Sequence, residues 1–492
     1  MGRIIDSTGT QDLSALEKEK VGSLHTEYAA LPPAIDPKRE RQVVRKLDIF
    51  IAPIVVLVEL VSNLDRGNIG FAATQGMAKD LHLVGNQFNI AVSILFVTYI
   101  TFEFPAALFV KWIGFQRVIP ICALIWGTVC LCTGFVQSFG SLVAVRLLLG
   151  AAEGCIFPSL SLLLLNWYKR EELVTRITFI WGGAALSAAF GGLIAFGVLQ
   201  MDGVAGYRGW RWLYIIEGLI TIVLAAACFF LIPKNYETAY FLNDDDKQVM
   251  RIRAEQAEAY SGGDGHFKFS ELKLALSDVK VWCNAICQLA CTTITYGFGT
   301  FLPLIIQESF HYSVSQAQYL TIPVNLWGAI IYICVALLAD KHSNRFLPLV
   351  SFAPLMVCGY AVLLSPVSSG AKYGATYLIS TGIYICAGIN FAWLTANSAP
   401  DGKRAASVGI QQSVTQLAGV VSGQIYSSTS APKYRLGHSW SLGCACVAWC
   451  GWWTYRLILK NREKKKNAMR EASTVDVQVV FSDRSPEFKY VF

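Results

Sequence analysis

The chain has 492 residues, of which 54% are hydrophobic and only 15% charged, where a soluble domain carries about a quarter charged residues. Many of its apolar stretches reach the 18–20 or so residues that cross a bilayer as a helix, which excludes both a soluble globular protein and a protein with a single membrane anchor. The net charge of +7 gathers at the joints between those stretches and at the two tails, so it reads as topology information and not as affinity for nucleic acid.

In chain order, residues 1–46 read as a cytoplasmic tail, mobile over 1–44, with no short apolar core and cleavage site of a signal peptide. The first span is expected from Leu47 and continues past Asp65 and Arg66, because the following Ile69-Gly-Phe-Ala-Ala is again apolar. Further spans are predicted near 87–110, 118–136, 141–166, 174–199 and 212–232. Residues 233–280, with Asp244-Asp-Asp246 and Ser261-Gly-Gly-Asp-Gly265, break the pattern and read as a cytoplasmic loop with some amphipathic helix. Spans resume near 281–306, 318–339, 346–365, 373–396, 404–426 and 438–458, and 459–492 form a second cytoplasmic tail.

The expected architecture is therefore an all-α membrane protein of twelve transmembrane helices in two six-helix halves, 47–232 and 281–458. The joint Lys111-Trp-Ile-Gly-Phe-Gln-Arg117 after span two echoes Asp340-Lys-His-Ser-Asn-Arg345 after span eight, as a duplicated half would. Basic residues such as Lys38, Arg39, Lys169, Arg170, Lys403, Arg404 and Lys464-Lys-Lys466 concentrate on one side, which places both termini in the cytoplasm.

The informative residues are charges where a membrane span should have none. Each costs about 2.5–3.5 kcal/mol at mid-bilayer on insertion scales, so it faces a bundle interior or a wet cavity. Glu59, Asp65, Arg66, Glu103, Arg146, Glu153 and Glu217 are such residues. Arg146 and Glu153 stand two helical turns apart, on one face and about 10 Å apart along the axis. Asp65 and Arg66 are adjacent, so their side chains diverge, and one can face a cavity while the other reaches a neighbour. Arginine can grip a substrate carboxylate with a bidentate fork, and a carboxyl in a dry site can carry a proton. The expected site is Arg66 and Arg146 for substrate with Asp65 and Glu153 for proton coupling; the other reading is a set of internal ion pairs that only fix packing. Glu103 and Glu217 read as gating or structural, as do the joint residues Lys111, Arg117, Asp340 and Arg345. Glu59 can equally line the cavity or reach the outer surface.

The second half offers neutral polar residues instead, among them Tyr296, Gln307, Asn325, Asn390 and Gln416, with Trp327 and Trp393 able to shape a pocket. Asn325, Asn390 and Trp393 are its candidates for substrate contact, which assigns charge handling to the first half and side-chain selection to the second. Of 14 cysteines nearly all lie in apolar runs, and Cys283, Cys287 and Cys291 at helical spacing lack a His or carboxylate to complete a metal site. No metal or cofactor is expected. Neither HExxH, nor a GxSxG elbow, nor a phosphate-binding loop points to an enzyme.

At these residues the chain resembles the anion:cation symporter family of the major facilitator superfamily. The matching stretches are Leu64-Asp-Arg-Gly-Asn-Ile-Gly70, Phe102-Glu-Phe-Pro105, Arg146-Leu-Leu-Leu-Gly150-Ala-Ala-Glu153, Trp167-Tyr-Lys-Arg170, Gly209-Trp-Arg-Trp-Leu-Tyr-Ile-Ile-Glu217 and Ala431-Pro-Lys-Tyr-Arg-Leu-Gly-His438. The long central loop, with Pro233 and Ala239-Tyr-Phe-Leu242, looks like the fungal allantoate/nicotinate permease branch. The resemblance implies carboxylate binding at Arg66 and Arg146, proton coupling at Asp65 and Glu153, and organic-anion substrates carried with protons by alternating access. It also implies a plasma-membrane location. A monomer in the lipid bilayer is expected, with a small-molecule substrate and protons as its partners. The chain departs from the family at Phe115-Gln-Arg117, where a proline and paired arginines are common, and at Glu59, where a neutral residue is usual. Export of a secondary metabolite, or a non-transporting nutrient sensor, are the alternatives.

Overall fold

A computed structural model describes residues 35–260, 269–342, 344–427, 430–472, 482–485 and 488–492. Asp36 caps the first helix by accepting from the Lys38 N–H, and Pro37 stands where a helix needs no donor, so α1 (Pro37–Phe50) begins ten residues before the apolar run. The tail expected to extend to residue 46 is thus helical from Pro37. Ile51 keeps right-handed φ and ψ, and α1 passes almost straight into α2 (Ala52–Thr74). Then follow α3 (Gln87–Ile113), α4 (Phe115–Thr133), α5 (Phe139–Glu153), α6 (Ile156–Trp167), α7 (Arg170–Leu199) and α8 (Gly209–Leu231). The corner between α3 and α4 is Gly114, at φ +93°, a conformation side chains rarely adopt. The central segment carries α9 (Asp244–Tyr260) and α10 (Phe269–Leu276). The second half holds α11 (Val279–Leu304), α12 (Val314–His342), α13 (Phe346–Leu364), α14 (Ser369–Ala396), α15 (Asp401–Ile425) and α16 (Arg435–Ala472).

Among the described residues, 9 helical stretches are long and apolar enough to cross a bilayer. Helices stand at all twelve predicted positions; the three below that mark are α3, α15 and α16. The shortfall of α15 has a clear cause: Gln411, Gln412, Thr415, Gln416 and Ser422 are buried inside the bundle and need not please lipid. Elsewhere Leu124, Leu148, Val223, Phe230 and Leu338 point outward and stay exposed, as a lipid-facing belt must. The span predicted over 141–166 is broken at Gly154 and Cys155 into α5 and α6. Here α3 presses close: a Cβ on Gly150 would lie 2.1 Å from the Leu95 carbonyl oxygen, and one on Gly154 2.7 Å from that of Tyr99.

Within the first half α4 packs on α8, α2 on α7 and α3 on α5; within the second, α13 on α14 and α11 on both α15 and α16. The halves meet where α2 faces α11, α3 faces α15, and α7 faces α12 and α14. Hydrogen bonds between the halves gather at the end of the bundle away from the chain termini. Asn89 donates to the Tyr426 carbonyl at 2.8 Å, Gln424 to Ser93 at 2.9 Å, and Gln318 to Thr74 at 2.6 Å. Phe301 stacks on Tyr426 beside Phe88 in the same layer. A Cβ on Gly70 would meet the Thr300 oxygen at 1.9 Å, so this seam closes only around a glycine. Gly70→Ala is therefore expected to prise the seam apart while leaving each half's own core intact. An Asn89→Cys probe, at a position fully buried in the seam, should in a cysteine-free background then react with an impermeant thiol reagent about tenfold faster, the change given by about 1.4 kcal/mol. Gly150→Ala, inside one half, should instead lower the thermal midpoint.

At the opposite end, α9 straps onto the first half through Arg253, which contacts Glu40 and Glu172 at 2.6 Å each, and the turn before it adds Phe241 stacked on Phe50. The last residues dock beneath the second half. Asp483 is fully buried against Lys280 and Lys403, and Asp278 holds Lys403 at 2.6 Å and Arg462 at 2.5 Å. Burial pushes the Asp278 carboxyl up, but the Arg462 hydrogen bond and the charges of Lys280 and Lys403 outweigh it and leave it well below the ordinary carboxylate range. Its stabilisation is complete above that ordinary range and is lost only in strong acid, as pH falls through the lowered value. Asp278→Asn should therefore lower the thermal midpoint by about 2–4 °C per kcal/mol lost, equally at about pH 6 and about pH 8.

Candidate functional site

A cavity of about 120 Å³ lies between the halves, walled by α2, α3, α6 and α7 on one side and by α11, α14 and α15 on the other. Of the charged residues expected inside the membrane, Glu59 and Arg66 line it. Arg66 Nε stands 3.0 Å from Glu153 Oε2, its Nη2 donates to Ser62 Oγ at 2.8 Å, and its guanidinium lies 5.3 Å from the centre of the Tyr99 ring. Neither Glu153 oxygen has a hydrogen-bond partner, so the pair is a charge contact without the aligned fork an arginine can form. Glu59 Oε1 accepts from Asn63 at 2.8 Å and belongs to the cavity, which decides between its two expected placements.

The structure does not bring Asp65 and Arg146 to the cavity. As their adjacency demanded, Asp65 turns away from Arg66. It enters a buried cluster between α2, α4 and α8, where Oδ2 accepts from Trp126 Nε1 at 2.5 Å, with Thr221 at 3.4 Å and the Cys130 thiol 3.4 Å from Oδ1. Glu217 accepts from Asn68 in the same layer. Arg146 donates to the Tyr214 hydroxyl at 2.9 Å, while its Nε is buried without a partner. Arg146 and Glu153 therefore divide: Glu153 joins Arg66, and Arg146 braces α5 against α8. Glu103 is part-buried one turn beyond Tyr99, with Oε2 unpartnered.

The second-half candidates also divide. Tyr296 and Gln416 line the cavity and bond to each other at 3.1 Å. Asn325 stands one step behind the wall, accepting from Tyr384 at 3.1 Å. Asn390 and Trp393, expected to touch substrate, do not line the cavity. Asn390 is consumed inside the half by Asn284, Gln288 and Trp452, whereas Trp393 donates to the Val491 carbonyl of the docked tail. Trp327 donates to Thr381 and is half exposed, and Gln307 lies in the π-helical turn Ile305–Ser309. Among the joint residues, Arg117 is exposed and Arg345 is buried with its N–H on the Phe492 carbonyl; the side chains of Lys111 and Asp340 lie outside the described residues. Sequence reading missed Asn63, Tyr99, Trp181, Thr292 and Gln412 on the cavity wall. Gln412 had a signal, since it precedes Gln416 by one helical turn on the same face.

Residues 55–423 match the Major Facilitator Superfamily. The chain belongs to that superfamily. This facilitator-superfamily protein is a multi-pass integral membrane transporter and not an enzyme. It is 38% identical over 456 residues to an uncharacterized transporter of Schizosaccharomyces pombe, covering 93% of this chain and 91% of that one. It is 32% identical over 483 residues to the high-affinity nicotinic acid transporter of Saccharomyces cerevisiae, covering 97% and 89%. The same fold appears in a bacterial homologue of the human lysosomal transporter Spinster, solved inward-facing and occupied, at a TM-score of 0.61 and 15% identity over 86% of this chain and 97% of that one. A D-xylose–proton symporter superposes with a TM-score of 0.62 at 11% identity, covering 83% and 97%.

Proposed function

We propose that this facilitator-superfamily transporter moves a small organic anion by proton symport, with Arg66 as the substrate's cation and Glu153 as the proton carrier. The observation that carries this reading is the Arg66–Glu153 contact at the cavity wall. Arg66 is the guanidinium facing the cavity, and Glu153 already occupies it. A substrate carboxylate approaching Arg66 meets a second negative charge in a low-dielectric site, where repulsion amounts to several kcal/mol at an effective dielectric near 20. A proton on Glu153 removes that repulsion and frees the guanidinium. Substrate and proton thus favour each other's binding, which is the thermodynamic content of symport.

The charge count supports it. Glu59, Asp65, Glu153 and Glu217 are buried carboxyls of the first half, against the guanidiniums of Arg66 and Arg146. An excess of buried negative charge is untenable in a dry bundle unless protons neutralise part of it. With both termini in the cytoplasm, the closed seam is the outer gate. Rocking of the halves about the seam completes alternating access. The reading includes a monomer in the plasma membrane. The test is uptake of labelled carboxylates, nicotinate among them, into proteoliposomes under an imposed pH gradient. Accumulation driven by an acidic outside supports it; accumulation indifferent to the gradient, or of neutral solutes only, overturns it.

A further inference from the structure

The second-half wall of the cavity carries polar groups that differ in how they are satisfied. Thr295 donates to the Cys291 carbonyl of its own helix at 3.0 Å, and Gln416 Oε1 accepts from Tyr296. Thr292 and Gln412 do not follow that pattern. Both line the cavity, at 3% and 6% exposure, and Thr292 Oγ1 and Gln412 Oε1 are buried with no hydrogen-bond partner. Buried polar atoms in native proteins are paired, so two unpaired ones on facing helices of one cavity point to a ligand group that pairs them. An orphan amide oxygen accepts, so the missing group is a donor, an O–H or N–H. Thr292 can accept or donate and tolerates either end of such a group.

Three further features shape what the donor is attached to. Arg66 fixes the negative end at the first-half wall. Rings from both halves, including Phe96, Tyr99, Trp181, Tyr296 and Tyr384, flank the space, and Phe96 lies 4.9 Å from Tyr296 across the interface. The volume of about 120 Å³ is close to that needed for one small ring, since a cavity of about 150 Å³ takes benzene. Flat faces of this kind favour a planar ring over a flexible chain.

We propose that Thr292 and Gln412 form a specificity subsite, reading a hydrogen-bond donor on a single-ring aromatic carboxylate whose carboxylate is held at Arg66. This rests on the organic-anion reading above. It makes the neutral half the judge of substrate identity: an acid lacking the donor leaves both groups unpaired and is handled worse.

The test compares labelled benzoate with 3-hydroxybenzoate and 4-hydroxybenzoate in proteoliposomes holding the full chain. The expected wild-type result is a preference of about tenfold or more in kcat/KM for one hydroxylated acid. Gln412→Leu, of similar volume, should bring that ratio to within about twofold of one. Thr292→Val gives the same readout should the first variant fail to insert. The proposal is overturned by a wild type that does not discriminate, by a preference that survives both substitutions, or by indifference to all three acids. Transport of these acids that survives Arg66→Gln would instead overturn the organic-anion reading, so the two failures are distinguishable.

Discussion

Arg66→Ala is expected to abolish gradient-driven uptake of carboxylates while leaving the protein folded in the membrane. Arg66 holds the cavity's guanidinium, braced by Ser62 and lying over Tyr99. Removing the cation that would pair with a buried substrate carboxylate costs about 2–5 kcal/mol, which predicts a fall in kcat/KM of roughly 30- to 4,000-fold. The remaining Glu153 can take up a proton, so the fold survives. Arg66→Lys keeps the charge but not the planar fork, and should recover only part of the loss. Arg146→Ala is the contrasting variant. Its guanidinium pairs with Tyr214 behind the wall, so it should lower the thermal midpoint and yield while KM in the surviving protein stays near wild type. Uptake kinetics and a thermal melt on the same preparations decide. A collapse of kcat/KM with a raised KM in Arg146→Ala, and unaltered kinetics in Arg66→Ala, would reverse the assignment.

That contrast also marks how far the sequence can be read. The spans were legible because the bilayer admits few solutions: backbone polar groups must be paired within a helix, and outward side chains must be apolar. The break at Gly154 and the docking of Asp483 were not, because both depend on what another segment presses against them. In the site, composition announced that charges were buried but not which way they pointed. A buried arginine can be satisfied by a wet cavity or by a hydroxyl from a distant helix. Arg146 meets Tyr214, 68 residues away, a pairing no local pattern encodes. Asp65 is likewise decided by Trp126 on a separate helix. Asn390 and Trp393 looked like a binding face because polar and aromatic residues in a span usually need a reason. Their reasons are Gln288 and the Val491 carbonyl.

Glu153→Gln should separate binding from energy coupling. In the wild type, substrate displaces Glu153 from Arg66 only when Glu153 takes a proton, so apparent affinity rises as pH falls, at most tenfold per pH unit for one coupled proton. Glutamine keeps the shape and presents no negative charge. The variant should therefore bind a carboxylate at least as tightly as wild type and with a flat pH dependence. It should exchange labelled for unlabelled substrate across the membrane, because exchange needs rocking but no net proton movement. It should not accumulate substrate against its gradient. A pH difference of one unit is worth about 1.4 kcal/mol, so the wild type can concentrate a monoanion about tenfold and the variant not at all. Exchange and accumulation measured on the same proteoliposomes give the two numbers. If Glu153→Gln still accumulates substrate with an unchanged response to the gradient, the proton travels on another carboxyl. Glu59, hydrogen-bonded to Asn63 on the same cavity wall, is then the next to test.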